Sequence, residues 1–290
     1  MSINLTDNAI AAFEHDAKDA YQSGGVLRGA VRTVTGVTGS TYRFNKIGKG
    51  LASPRIPQTE VVPMGLEHTN ETCTLEDWIA AEYTDVFNEQ KVPYSERKFL
   101  ASTCGRAIAR REDQILLDAL ALSTPTGTIA KTFGSGGNEL NLDKVRRAKR
   151  HMDENSVPMS DRFILLSAGG IEQMLGDNTN TSRDFSNLER LRDGEMGSTP
   201  WLGFTWLVME DRAGEEGGYA VANAGAVSDV TTYCWHKNAI GLAVGKEVSV
   251  SVDWVAQYTS WLTSACYIGG ATHIDNEGIV QITYDQSIAV

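Results

Sequence analysis

The stretch His236-Lys237-Asn238-Ala239-Ile240-Gly241-Leu242-Ala243, with residues 248–254 after it, organises the reading of this chain. The later part alternates strictly. Val248, Val250, Val252 and Trp254 fall on one side, and Ser249, Ser251 and Asp253 on the other. Successive side chains on a strand point to opposite faces, so the pattern predicts a strand with one buried face. Downstream, residues 261–268 and 279–284 read as two more strands. Between them lie a Gly-rich stretch and the turn Asp275-Asn276-Glu277-Gly278. Upstream, residues 232–236 form a short strand, so the last third of the chain is mostly β.

Further upstream the pattern becomes mixed. Residues 162–167 and 202–210 are compact apolar strands, with a short helix around 170–175 after the first. Residues 177–200 are polar and Gly-containing, which predicts a loop, and 213–218 make a tight acidic turn. Asn141 is placed to cap a helix that carries Leu142, Val145, Ala148 and Met152 on one face. A Gly/Thr/Ser loop spans 123–138. Before it, Pro93 and Ser95 open a long helix with Leu100, Cys104, Ile108, Ile115 and Leu122 near one face. Residues 95–122 would span about 42 Å. Thr74-Leu75-Glu76-Asp77 fits a capping box with Asp in place of Glu, and Leu75, Ile79, Tyr83 and Val86 follow at helical spacing. A helix is therefore expected there too.

Residues 23–74 differ in kind. Eight glycines and three prolines punctuate short β-type runs at 31–37, 41–45 and 60–64. This is an extended chain with an irregular hairpin and few large apolar residues of its own. So long and thinly packed a segment needs functional mobility or a partner to lie on. Ahead of it, Ile10, Phe13, Ala17 and Tyr21 recur at helical spacing, with Thr6 or Asp7 as cap. That helix either packs on its own domain or forms an arm on a neighbour. Both segments direct attention to the same candidates for contact between subunits: Ile10, Phe13, Tyr21, Tyr42, Phe44, Ile47, Leu51, Ile56 and Val61.

Composition narrows the function classes. The chain has 290 residues, enough for about two domains or one elaborated one. Its formal net charge of -11 argues against tight nucleic-acid binding, which needs clustered cations. The basic runs at 106–111 and 144–150 fall inside expected helices and read as solvated or interface faces. Cys73, Cys104, Cys234 and Cys266 match no metal spacing, and reduced, mostly buried thiols are expected. No apolar run approaches membrane-helix length, and residues 1–13 lack the pattern of a signal peptide. A P-loop, a dinucleotide fingerprint, a GxSxG elbow and HExxH are all missing. The expectation is no catalytic site, no cofactor and no metal.

The order of elements is distinctive: helical arm, Gly/Pro-rich excursion, helix pair with one long helix, α/β segment, then β segments. Together with the run at 236–243, the strand at 248–254, Ser260-Trp261-Leu262 and residues 270–280, it resembles the major capsid proteins of tailed bacteriophages. His273 stands where Arg is common in that family. The resemblance implies an α+β fold with an N-terminal arm at 1–35 and an extended loop at 36–74. A peripheral domain would comprise 75–155 and 236–290, with 95–122 as its spine helix, and 156–235 would form the core of an axial domain. It further implies self-assembly through pentamers and hexamers into an icosahedral virion shell around double-stranded DNA, with only weak non-specific contact. Assembly would take place in the host cytoplasm, without a membrane. A separate scaffolding protein, a portal and a decoration protein are the implied partners. The rival readings are an encapsulin-like nanocompartment, which shares the fold, a cytosolic α/β hydrolase with an unrecognised acid pair, and a tail or baseplate component.

Overall fold

The computed structural model describes residues 24–55, 57–61, 63–89, 91, 95–134, 137–176, 200–209 and 229–288. The expected helix at 6–22, the loop at 177–199 and the acidic turn at 213–218 lie outside them. The chain enters across a long helix and forms β1 (Arg32–Thr35). β2 (Thr41–Ile47) and β3 (His68–Thr74) then pair antiparallel as a hairpin, Thr41 opposite Thr74 and Ile47 opposite His68. The expected β-run at 60–64 is not a strand. It lies in the hairpin tip beyond the last rung, and Pro63 has no N–H to give a ladder.

Where a helix was expected after Thr74, the chain makes a ten-residue strand, β4 (Glu76–Asp85). The physical reason is a shared period. Leu75, Ile79 and Tyr83 are four apart, and four residues return to one face of a helix and of a strand alike. The partner decides, and β10 (Ser260–His273) pairs with β4 along its whole length. A single helical turn, α1 (Val86–Glu89), precedes the spine helix α2 (Glu96–Ala121), about 39 Å long at the standard rise. Strong helix formers fill α2, and Gly105 is the one glycine in it. Cys104, Ile108, Leu116, Leu117 and Leu120 make its buried face. Leu122, expected on that face, is exposed because the helix has already ended.

Two larger sheets follow from long-range pairing. In the first the order is β1-β9-β10-β4, where β9 (Ile240–Val255) runs parallel to β1 and antiparallel to β10. Helix α2 packs on this sheet, chiefly over β10. The second contains β5 (Gly127–Ile129), β6 (Arg162–Leu166), β7 (Thr205–Val208), β8 (Asp229–His236) and β11 (Ile279–Asp285), in the order β5-β11-β8-β6-β7. Helix α3 (Leu142–Glu154) packs on β11 and β5. As expected, the Asn141 side chain caps it, accepting from the Lys144 amide at 3.0 Å, and Leu142, Val145, Ala148 and Met152 are buried. The short α4 (Ala168–Gly176) follows β6. The second sheet draws β5 and β11 from segments assigned by sequence to the peripheral domain, and β6 to β8 from the axial segment. A boundary at 156 and 235 therefore passes through one continuous sheet.

One core cluster joins the sheets. It includes Leu27, Ile108, Leu116, Trp235, Leu242, Tyr267 and Ile282. A smaller cluster of Phe44, Cys73, Leu75, Ala243 and Ile274 roots the hairpin. Glycine is required at that root. A Cβ on Gly241 would enter the Phe44 ring, and one on Gly270 would collide with the Thr74 carbonyl.

Candidate subunit-contact surfaces

The hairpin divides into a fixed root and an outlying tip. At the root, Phe44 is 1% exposed, and it meets Tyr42 edge-on at 4.9 Å between ring centroids. Phe44 is thus spent inside its own chain and is withdrawn as a subunit-contact candidate. The two-residue period of β2 turns it inward onto Gly241 while Ile47 turns out. Tyr42 is half-buried beside it. Two ion pairs tie the base of the hairpin to the turn at 275–278: Lys46 to Asp275 at 2.7 Å and Lys49 to Glu277 at 2.6 Å. Asp275 also accepts from the Glu277 amide, so one carboxylate organises both the turn and the hairpin.

In the tip, residues 49–55, 57–61 and 63–67 are exposed. Leu51 is 90% exposed and Val61 81%, and Ile47, Met64 and Leu66 are also open. Of the remaining sequence candidates, Ile56, Ile10, Phe13 and Tyr21 lie outside the described residues. Leaving so many large apolar groups in water is unfavourable, so an exposed apolar patch of this kind marks a contact surface.

A second apolar surface was missed from the sequence. The strand expected at 248–254 exists, as part of β9, but its apolar face is not buried. Val248, Val250, Val252 and Trp254 are 37–46% exposed. Register puts Val250 opposite Ala265 and Val252 opposite Thr263, both fully buried beneath α2. The valines share that face but lie beyond the cover of the helix. β1 pairs β9 only from Gly241 to Val244, so the farther half also has one edge without a partner strand among the described residues. On the opposite face Ile79 and Tyr83 are exposed, and Phe87 and Tyr258 stand near the same end of the sheet. The available signal was quantitative: one long helix is too narrow to cover three strands of ten residues or more.

The entry of the chain is locked onto α2. Asp113, buried on that helix, accepts from the Val26 amide at 2.9 Å and the Leu27 amide at 3.0 Å. Gly25 crosses so closely that a Cβ would lie 3.2 Å from the Ala109 carbonyl oxygen. Burial pushes the Asp113 carboxyl up to about 6, against the pull of the two amides. Beside it Arg28 bridges Glu112 at 3.6 Å and Glu247 at 2.6 Å. Burial also raises Glu112. These groups fasten backbone to helix, and no group of three or more His, Cys, Asp or Glu side chains suited to a metal occurs among the described residues. Cys73, Cys104 and Cys234 are buried free thiols and Cys266 is half-buried. Burial holds Cys73 up at about 11. No helix among the described residues is long and apolar enough to cross a membrane.

Comparison with known proteins agrees with this architecture. The chain is similar to the capsid of the cyanophage P-SCSP1u, with 14% identity, 96% of this chain and 93% of that one covered, and a TM-score of 0.74. It is similar to the head structure of Helicobacter pylori bacteriophage KHP40, with 11% identity, 99% of each chain covered and a TM-score of 0.75. It is also similar to a Mycobacterium phage Che8 structure, with 15% identity, 94% and 96% covered and a TM-score of 0.70. At such identities these likenesses speak for the fold. No curated protein matches the chain. The model of the phage capsid protein family matches residues 5–286. With nearly the whole sequence matched and an α+β capsid fold, the chain belongs to the phage capsid protein family.

Proposed function

We propose that copies of this chain assemble through pentamers and hexamers into an icosahedral head enclosing double-stranded DNA. The role is structural, not catalytic. The observation that carries this reading is the pairing of two open surfaces in one subunit. The hairpin tip offers Ile47, Leu51, Val61, Met64 and Leu66, with Lys49 and Arg55 balanced by Glu60 and Glu67. The far sheet offers Val248, Val250, Val252 and Trp254 on one face, and Ile79 and Tyr83 on the other. Large apolar groups thus stand open on two different regions of the subunit. A contact between unlike patches is head-to-tail, and it closes into rings when the rotation permits. The tip of one subunit lies on the sheet of the next.

In this reading 1–35 is the arm, 36–74 the extended loop, 75–155 with 236–290 the peripheral domain, and 156–235 the axial core. Tyr42, Ile47, Leu51, Ile56 and Val61 of the extended loop, with Ile10, Phe13 and Tyr21 of the arm, supply contacts to neighbours. A separate scaffolding protein, a portal and a decoration protein complete the head, which forms in the host cytoplasm. The test is expression with and without the scaffolding protein, followed by electron microscopy. Closed shells or capsomer rings are expected, and L51S/V61S should abolish them while the subunit stays folded. A clean monomer under both conditions would overturn the proposal.

A further inference from the structure

The basic run at 144–150 resolves into two opposite roles. Lys144 turns inward, fully buried, and its ammonium donates to the carbonyls of Asn138 at 3.1 Å and Glu139 at 2.5 Å. The arginines turn outward. Arg146 and Arg150 have side chains 55% and 64% exposed. With Arg147, Phe133, Gly134 and Asp143 they line an open groove of about 360 Å³. The Arg147 guanidinium lies 5.7 Å from the Phe133 ring centroid, which fixes its plane without neutralising it. Two carboxylates are near: Asp143, 3.7 Å from Arg146, and Glu154, 2.7 Å from Arg150. Three guanidiniums against two carboxylates leave local positive charge on a chain whose net charge is -11.

We propose that this groove contacts the phosphate backbone of the enclosed duplex DNA, one patch per subunit. The proposal rests on the shell reading above and names the surface through which its weak DNA contact is made. Arg146 and Arg150 are one helical turn apart, about 6 Å along the axis. That spans about two charges of one DNA strand, spaced about 3.4 Å apart along the duplex. Arginine forks suit phosphate oxygens in pairs. The groove suits a second copy of the chain poorly. Protein interfaces centre on desolvated apolar anchors, whereas here Phe133 is the one aromatic and an arginine already lies over it. Contacts to DNA are charged, and three guanidiniums line this groove. The acidic remainder of the subunit repels phosphate, so contact is confined to discrete points and the packed polymer can still shift.

The test uses the purified full chain and a fluorescein-labelled 30-base-pair duplex of arbitrary sequence, read by anisotropy at 50–200 mM KCl. Three phosphate contacts give a slope of log K against log salt of about -2.7, a loss of about 40-fold over that range. R146Q/R147Q/R150Q should weaken binding at 50 mM KCl at least tenfold and flatten the slope. R146K/R147K/R150K should keep it, because counterion release follows charge, not fork geometry. R43Q/K91Q/K98Q, three exposed cations elsewhere, should bind as the wild type does. Absence of wild-type binding at 50 mM, an unchanged slope in the glutamine variant, or a lost slope in the lysine variant would each overturn the proposal. So would a glutamine variant that binds DNA normally but forms no rings, since the groove would then be a contact between copies. A wild-type chain that stays monomeric with and without scaffold, yet binds duplex through these arginines, would sink the shell reading and leave the groove standing.

Discussion

The two halves of β9 both carry bulky apolar residues and meet opposite fates. From Ile240 to Val244 every residue is buried, with β1 on one edge, β10 on the other, and Phe44 of the hairpin on Gly241. From Glu247 to Trp254 every residue is exposed, although strict alternation there predicts one buried face. At Gly245 the strand passes from a continuous apolar run to alternation, and beyond that point β1 no longer pairs with it. Burial belongs to what lies against a strand. A face rich in Val and Trp that finds no cover among the described residues is a surface awaiting another one.

That contrast can be broken at its buried end first. F44A should cost about 3–5 kcal/mol in urea denaturation of the subunit, the usual loss for a large aromatic removed from a packed core. A loss under about 1 kcal/mol would mean that the hairpin root is not part of the core.

Asp113 sharpens the contrast next, since it fixes the chain entry and Arg28 beside it reaches Glu247, where the exposed half begins. Its carboxyl titrates near 6 in the folded chain, against an ordinary value near 3.8. The folded state therefore holds the proton more tightly. Between about pH 4 and 6 the unfolded chain binds fewer protons than the folded one, so the Asp113 contribution to stability falls as pH rises through that window. The full fall is on the order of 3 kcal/mol. D113N should remove this slope, seen as urea midpoints at pH 4.5, 5.5 and 6.5 that differ less than in the wild type.

Smaller still is the hairpin tether. K46A removes a half-exposed ion pair with Asp275 and should cost about 0.2–1 kcal/mol, shrinking further in 0.5 M salt. The smallest effect is expected at the open end of β9. V250T/V252T should change subunit stability by no more than about 0.5 kcal/mol per site, because the side chains keep their shape and already meet water. In the same variant, ring formation by electron microscopy should fall. A large stability loss without any assembly defect would show that the face is covered within the subunit.

Much of the fold was legible. The spine helix was read to within a residue at either end, since most of its 26 residues are strong helix formers. Asn141 announced α3 by its chemistry, and strands β6, β8, β10 and β11 stood where the apolar runs lay. Illegible were the features that need a partner to define them. Residues 76–85 carry apolar groups four apart, which suits either period, and the β10 ladder settled it. Phe44 looked available because the excursion around it is thin, and Gly241, about two hundred residues away, takes it in. Of the candidate contact residues, Ile47, Leu51 and Val61 are open, whereas the exposed face of β9 went unseen because alternation reports two unlike faces and not which is wet.

By itself, then, the sequence determined local conformation, caps and turns, and the absence of the familiar catalytic motifs, because these rest on backbone preferences and spacing within a few residues. Only the tertiary structure decided which faces are covered: the helix that became β4, the aromatic that went inside, the valine ladder that stayed out. Coverage is set by contacts between segments far apart in the chain, and the free energy of burying an apolar face depends on the surface that arrives over it.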